Sequence, residues 1–183
     1  MPTVMLIRHG QNDYVKSGRL AGRKEGVHLN NTGNAQAQNL AQALSDTPIK
    51  SVYSSPLDRT METAQPIAEV HKLKVIPRPG LQEVDFGQWQ DKTIKQLRTR
   101  KLWRTVQHNP AIMRFPKGES FGEAQHRIVT EIETLVGQHK KKDVIICVGH
   151  SDMIKLAVAY YLGLPLDLFQ RLTVQPASIN TLH

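Results

Sequence analysis

Val4-Met5-Leu6-Ile7-Arg8-His9-Gly10 decides the reading of this chain. A short run rich in Val, Leu and Ile reads as a buried strand. In an open α/β sheet, the residues at the carboxyl end of such a strand sit where ligands bind. Arg8 and His9 stand at that point: a guanidinium that can hold a phosphoryl group, beside an imidazole that can attack it.

Outward from this run, strands and helices alternate. A polar loop from Gln11 to Asn31 leads into a helix predicted to start near Thr32, with Ala37, Leu40, Ala41 and Leu44 on one apolar face. Pro48 ends that region, and Lys50 to Ser54 reads as a second strand. Ser55-Pro56 reads as a helix start, a capping hydroxyl followed by proline at the first helical position. That helix continues through Met61, Ala64 and Ala68, and Leu73 to Ile76 forms a third strand closed by Pro77 and Pro79. From Gln88 to Gly118 the pattern is irregular and basic, with short helical stretches at Ile94–Leu97 and Leu102–Val106. A long helix carrying Phe121, Ala124, Ile128, Ile132 and Leu135 follows. The strand Val144–Val148, a helix from Ser151 to Leu162 and a short strand near Ser178–Leu182 complete the order.

This alternation predicts an α/β fold, a three-layer sandwich with a mostly parallel central sheet and helices on both faces. Residues 1–183 read as one domain, with no internal repeat or linker. The segment at about 88–120 is too long for a simple connection and reads as an excursion covering the active site.

Composition narrows the function classes. The 183 residues are 39% hydrophobic and 22% charged, ordinary for a globular protein that buries roughly 70% of its unfolded surface. No apolar run approaches the roughly 20 residues of a membrane helix, so no membrane association is expected. The N-terminal residues lead straight into a strand without a signal-like apolar core, and the single cysteine, Cys147, lies inside an apolar run. A cytoplasmic location is the expectation. The net charge of +8 suits a solvated surface or an anionic small substrate. Aromatics are only 5%, and no basic stripe is interleaved with stacking residues, so nucleic-acid binding is not expected. Oligomeric state has no signature in the sequence.

The chemistry emerges when strand ends are compared. The first gives Arg8-His9-Gly10, the second leads to Arg59, the third is followed by Glu83, and a later one ends in Gly149-His150-Ser151. Parallel strands put these ends on one edge, so two histidines, two arginines and a carboxylate can converge. A phosphoryl transfer needs that set: cationic donors, a nucleophile and a proton donor for the leaving oxygen. Neutral His9 is the nucleophilic form, and two arginines with a charged His150 are expected to lower its pKa. Glu83 needs burial to hold a proton. Singly, each residue has a plainer reading: a surface ion pair, a helix-face charge, a loop carboxylate. Ser151 reads as a helix cap. Among the remaining histidines, His28 stands closest to the predicted site, and His71, His108, His126, His139 and His183 read as surface or packing residues. Trp89 and Phe86 read as packing under the excursion.

These residues also carry a resemblance. The chain resembles the histidine phosphatase superfamily, the group of phosphoglycerate mutases and many small phosphatases. The likeness runs through Arg8-His9-Gly10, Gly18-Arg19-Leu20-Ala21-Gly22, Ser54-Ser55-Pro56-Leu57 with Arg59-Thr60 and Glu62-Thr63-Ala64, Glu83-Val84-Asp85-Phe86-Gly87-Gln88-Trp89, Gly118-Glu119-Ser120 and Val148-Gly149-His150-Ser151. It implies that His9 is the phosphorylated nucleophile and that Arg8, Arg59 and His150 hold the phosphoryl oxygens. Glu83 would then be the proton donor and afterwards the base. Gln11, Arg19, Gly22 and Ser151 complete the implied substrate contacts, Arg23 shares that loop, and no metal or cofactor is needed. The partner is a small phosphorylated substrate. Val84-Asp85-Phe86-Gly87 after the acid, and the short chain, are the phosphatase-like version, so hydrolysis is favoured over mutase transfer.

Three departures stand out. Many members have asparagine at Val15, whose amide contacts the phosphate; valine has no such donor. Gln11 stands where mutases usually have glutamate. Asp91 takes the place of the usual glycine.

Overall fold

The computed structural model describes residues 1–183. In chain order the elements are β1 (Thr3–Arg8), α1 (Asp13–Lys16), α2 (Asn31–Ala43), β2 (Ile49–Ser54), α3 (Asp58–Val70), β3 (Val75–Pro77), α4 (Ile94–Leu97), α5 (Lys101–His108), α6 (Phe121–Gly137), β4 (Val144–Gly149), α7 (Ser151–Tyr161) and β5 (Ile179–Leu182), with short 3₁₀ turns between some of them. The strands form one sheet in the order β3-β2-β4-β1-β5. β1, β2, β3 and β4 are mutually parallel, and β5 closes the edge antiparallel to β1. The fold is α/β with helices on both faces.

Alternation along the strands builds the two interiors. Val4 and Leu6 of β1 join Ile145 and Cys147 of β4 against α6 and α7, through Ala124, Ile128, Ile132, Leu156 and Ala157. Ile7 of β1 points the other way, and with Val52, Ile146 and Val148 it packs on Leu40, Ala41, Ala64 and Ile67 of α2 and α3. Side chains on a strand face opposite sides in turn, so a sheet covered on both faces must be apolar at nearly every position. That is why the β1 and β4 sequences read as continuous apolar runs. Cys147 is buried in the first of these layers.

Local boundaries moved where capping chemistry differs from the simplest reading. The second helix begins at Asn31 because the side chain of Asn30 accepts from the Gly33 amide. Ser55 does not cap α3, which starts at Asp58 without a side-chain cap; its amide instead donates to the Val148 carbonyl. Ser151 is likewise the first residue of α7 rather than its cap, that position being His150. β3 covers only Val75–Pro77, later than the apolar run Leu73–Ile76 predicted.

Two contacts fix the end of β1 against its surroundings. A methyl group at Gly10 would lie 2.7 Å from the Gly33 carbonyl oxygen, so only glycine lets the strand end approach the start of α2. The Gly10 amide then donates to Thr63 Oγ1 of α3. His9 therefore sits on backbone clamped from two helices.

Candidate active site

The parallel register brings the strand ends together. Arg8 pairs with Gly149 across β1 and β4, so His9 and His150 are the next residues on neighbouring strands. Their rings lie 5.3 Å apart, edge to face. Arg59 enters from the first turn of α3, and Glu83 from the loop after β3.

His9 is only 4% exposed, and its Nδ1 lies 2.7 Å from the Gly10 carbonyl oxygen. A carbonyl only accepts, so Nδ1 carries the proton and the Nε2 lone pair is free. Burial, with the Arg59 guanidinium beside it, lowers the His9 pKa to about 3. The imidazole is neutral at every physiological pH.

Both arginines are held by main-chain carbonyls rather than by carboxylates. Arg8 donates to Val174 O at 2.7 Å, and Arg59, 1% exposed, donates to Gly22 O at 2.6 Å. Buried guanidiniums without a tight counter-ion are costly unless an anion joins them. His150 is fully buried; its Nε2 lies 2.9 Å from Ser55 Oγ and its Nδ1 3.4 Å from the Arg59 guanidinium. Burial and the Arg59 charge push its pKa well below the usual value. The expectation of a charged His150 is thus corrected: in the free protein it is neutral, because a third buried cation beside Arg8 and Arg59 is too unfavourable.

Glu83 has the opposite perturbation. Burial, joined by the charge of Asp152, raises its pKa to about 7. Its Oε1 accepts from the Val84 amide at 3.0 Å, and its Oε2 lies 3.9 Å from His150 Nδ1. Two arginines hold the loop that carries it. Arg127 of α6 donates to Gly80 O, Gln82 O and, at 3.3 Å, Glu83 O. Arg23 donates from Nε to Glu83 O at 2.9 Å. Both also reach Glu119 Oε1, which accepts the Asp85 amide as well. The backbone around Glu83 is therefore pinned from two sides of the molecule.

The site opens on a cavity of about 270 Å3. Arg8, His9, Arg19, Gly22, Arg59, Glu83 and Ser151 all face it. His150 lies immediately behind its wall rather than on it. Gln11 is the residue the structure does not bring there: its side chain accepts from Asn30, and its amide donates to Gln36. Its position on the α2 side of the loop turns it away from the cavity. His28 is also elsewhere, exposed and paired with Glu62 at 2.5 Å. Phe86 and Trp89, read as packing alone, line the cavity too.

Several contributors were not singled out from sequence. Asn12 lines the cavity, is 1% exposed, and has an amide Nδ2 with no protein partner. Its Oδ1 accepts from the Val15 amide at 2.8 Å, which caps α1 and fixes the side chain. Asn12 thus places a buried donor at the cavity one helical turn before Val15, where the resemblance led one to look for an amide. The capping role was legible, since Asn before a short polar helix is a common start; the orientation of its nitrogen was not. Ser55, Arg127 and Glu119 act only through tertiary neighbours, and Asp152 lines the cavity beside Ser151. Asp91, with φ of 70°, adopts a backbone conformation favouring glycine, and its carboxylate accepts from Tyr14 and pairs with Lys24. Those bonds tie the 11–30 loop to the 88–120 segment and offset the strain. No group of three or more His, Cys, Asp or Glu side chains is placed to hold a metal ion.

The chain is 29% identical over 185 residues to phosphoserine phosphatase 1 of Hydrogenobacter thermophilus, covering 100% of this chain and 87% of that protein. It is 31% identical over 182 residues to a probable phosphoglycerate mutase of Serratia proteamaculans, covering 98% and 84%. Among solved structures, phosphoserine phosphatase of Entamoeba histolytica in complex with 3-phosphoglyceric acid superposes with a TM-score of 0.89 at 26% identity, covering 99% of this chain and 90% of that one. The family model for the histidine phosphatase superfamily (branch 1) matches residues 4–183. With nearly its whole length accounted for in this way, the chain belongs to the histidine phosphatase superfamily, branch 1.

Proposed function

We propose that this protein is a metal-independent phosphomonoesterase that hydrolyses a small phosphorylated metabolite through a phosphohistidine. The observation that carries the reading is the pairing of opposite protonation states in one cavity: a neutral His9 with its Nε2 lone pair free, and a Glu83 able to hold a proton near neutral pH. Groups whose environments push their pKa values apart divide into base and acid.

In the first step, His9 Nε2 attacks phosphorus, the bond from phosphorus to the ester oxygen breaks, and Glu83 gives its proton to the leaving alkoxide. In the second, the Glu83 carboxylate takes a proton from water as that water attacks phosphorus. The P–N bond breaks, inorganic phosphate leaves, and His9 and protonated Glu83 are restored. Arg8 and Arg59 hold the equatorial oxygens, and a proton drawn onto His150 by the incoming dianion adds positive charge from behind the wall. Asn12 Nδ2 supplies a neutral donor in place of the amide missing at Val15. Arg19, Gly22 and Ser151 are contacts along the cavity wall. The segment at about 88–120 covers the site as part of a single domain spanning 1–183. Relatives named as phosphatase and as probable mutase leave both outcomes chemically open; Val84-Asp85-Phe86-Gly87 after the acid favours water as the acceptor.

The test is release of p-nitrophenol from p-nitrophenyl phosphate with excess EDTA present. Turnover undiminished by chelator is expected. Loss of activity in EDTA, or phosphoglycerate interconversion faster than phosphate release, overturns the reading.

Arg127 is a positioning residue for Glu83. Arg127→Ala is expected to lower kcat on an alkyl phosphate by about 10²-fold, because a catalytic group displaced by roughly 1 Å loses that much. The loss on p-nitrophenyl phosphate should be smaller in the phosphorylation step, since that leaving group needs little protonation. An equal loss of the phosphorylation rate on both substrates would assign Arg127 to general scaffolding.

A further inference from the structure

Beside its phosphate-holding groups the cavity carries a set of apolar side chains that the phosphoryl chemistry does not require. Half of the lining, 11 of 22 residues, is hydrophobic. Val15 and Leu20 come from the 11–30 loop, and Trp89, Ile94, Trp103 and Val106 from the segment above it. The two are joined by a backbone bond from Leu20 to Lys92 and a bridge between Arg19 and Thr93. Trp89 and Trp103 are stacked at 6.4 Å with ring planes 21° apart, and Phe115 meets Trp89 edge to face at 5.3 Å. These rings form one continuous aromatic surface.

Charged groups near this wall lie in pairs. Arg19 lies 3.9 Å from the Asp91 carboxylate and against the Tyr14 ring, and the Tyr14 hydroxyl itself donates to Asp91. Asp152 is paired with Lys155 at 2.9 Å, and the same ammonium donates to Gln170. An ammonium on the alcohol part of a substrate would meet the positive charges of Arg19 and Lys24 around Asp91. An aryl or other apolar body gains from burial against the same surface.

We infer that the substrate is a phosphomonoester of an alcohol with an aromatic or otherwise apolar body. This rests on the phosphomonoesterase reading above and specifies its substrate class. It separates the protein from relatives named for phosphoserine and phosphoglycerate, whose alcohols carry further charges.

The experiment compares kcat/KM of the wild-type protein for 2-(1-naphthyl)ethyl phosphate, whose leaving group is an alkoxide like the others, O-phosphoserine and 3-phosphoglycerate. A preference of roughly 10- to 100-fold for the naphthyl ester is expected. The ratio should fall about tenfold in Trp103→Ala, a partly exposed position whose truncation removes one face of the wall. Hydrolysis of all three with phosphoserine or phosphoglycerate preferred overturns the substrate class while leaving the phosphatase reading intact. If none is hydrolysed, the phosphatase reading fails, and fluorescence of Trp89 and Trp103 then decides the inference. Saturable quenching by 2-(1-naphthyl)ethyl phosphate at concentrations where phosphoserine has no effect supports it; equal or weaker response to the naphthyl ester overturns it.

Discussion

His9→Ala is expected to abolish steady-state hydrolysis, with a loss on the order of 10⁴-fold or more, as follows removal of a covalent nucleophile. The size of the effect comes from geometry. The Gly10 carbonyl fixes the proton on Nδ1, and Thr63 anchors the Gly10 amide, so Nε2 is presented at one place with no rotamer search. No neighbour can take over: His150, 5.3 Å away, has its Nε2 committed to Ser55 and its Nδ1 facing Arg59 and Glu83. Binding should survive, because Arg8 and Arg59 are untouched, so inorganic phosphate or vanadate should still protect the variant from thermal unfolding. Rapid quench of the wild type with labelled substrate should yield an acid-labile, alkali-stable protein phosphate that is missing from the variant. Hydrolysis at the wild-type rate without His9 would sink the mechanism.

Glu83→Gln is expected to lower steady-state turnover by about 10²- to 10⁴-fold, the usual scale for a general acid–base. The diagnostic is the split between steps. With p-nitrophenyl phosphate the leaving group departs unaided, so the variant should release about one equivalent of p-nitrophenol in a burst and then stall at the phosphohistidine, which has lost its base. With an alkyl phosphate even the burst should be slow. The pH dependence carries the same signature. In the wild type, kcat/KM on an alkyl phosphate should fall above about pH 7 as Glu83 loses its proton; in Glu83→Gln that alkaline limb should vanish. Substrate ionisation near pH 6 contributes only to the acid side.

Stability supplies an independent check on Glu83. Its folded pKa is raised to about 7 above a reference of 4.5, so the folded state binds more protons than the unfolded one between those values. Its favourable contribution is therefore complete below pH 4.5 and lost as pH rises through 7. Glu83→Gln should stabilise the fold relative to wild type at pH 8, by about 3 kcal/mol at most, and show no such gain at pH 4. His9 runs the other way: lowered from 6.5 to about 3, it lets stability fall as pH drops through that interval, because the unfolded chain takes up the proton first. Tm against pH for wild type and both variants would show these opposite slopes.

The architecture was readable because two-sided burial leaves an unmistakable trace. Val4–Ile7 and Val144–Val148 are apolar at successive positions, and a strand that faces helices on both sides has no other choice. Arg8, His9, Arg59, Glu83 and Ser151 reach one cavity, with His150 behind its wall, because parallel strands deliver their carboxyl ends to the same edge. Ser55 was misread for a physical reason. A hydroxyl before proline looks like a cap whatever lies across the sheet, and only the β2–β4 register puts it against His150. Gln11 erred in the opposite sense: adjacent to the key tripeptide in sequence, it is turned by the chain toward Asn30 and Gln36.

The layer order and the candidate reacting groups could be read along the chain, since hydrophobic periodicity and side-chain chemistry are local properties. The protonation states, the clamp of Arg23, Arg127 and Glu119 on the Glu83 loop, and the apolar surface of Trp89 and Trp103 emerge only in the folded chain. Proton affinity depends on how much water and how many charges surround a group, and that is settled by segments distant in the chain.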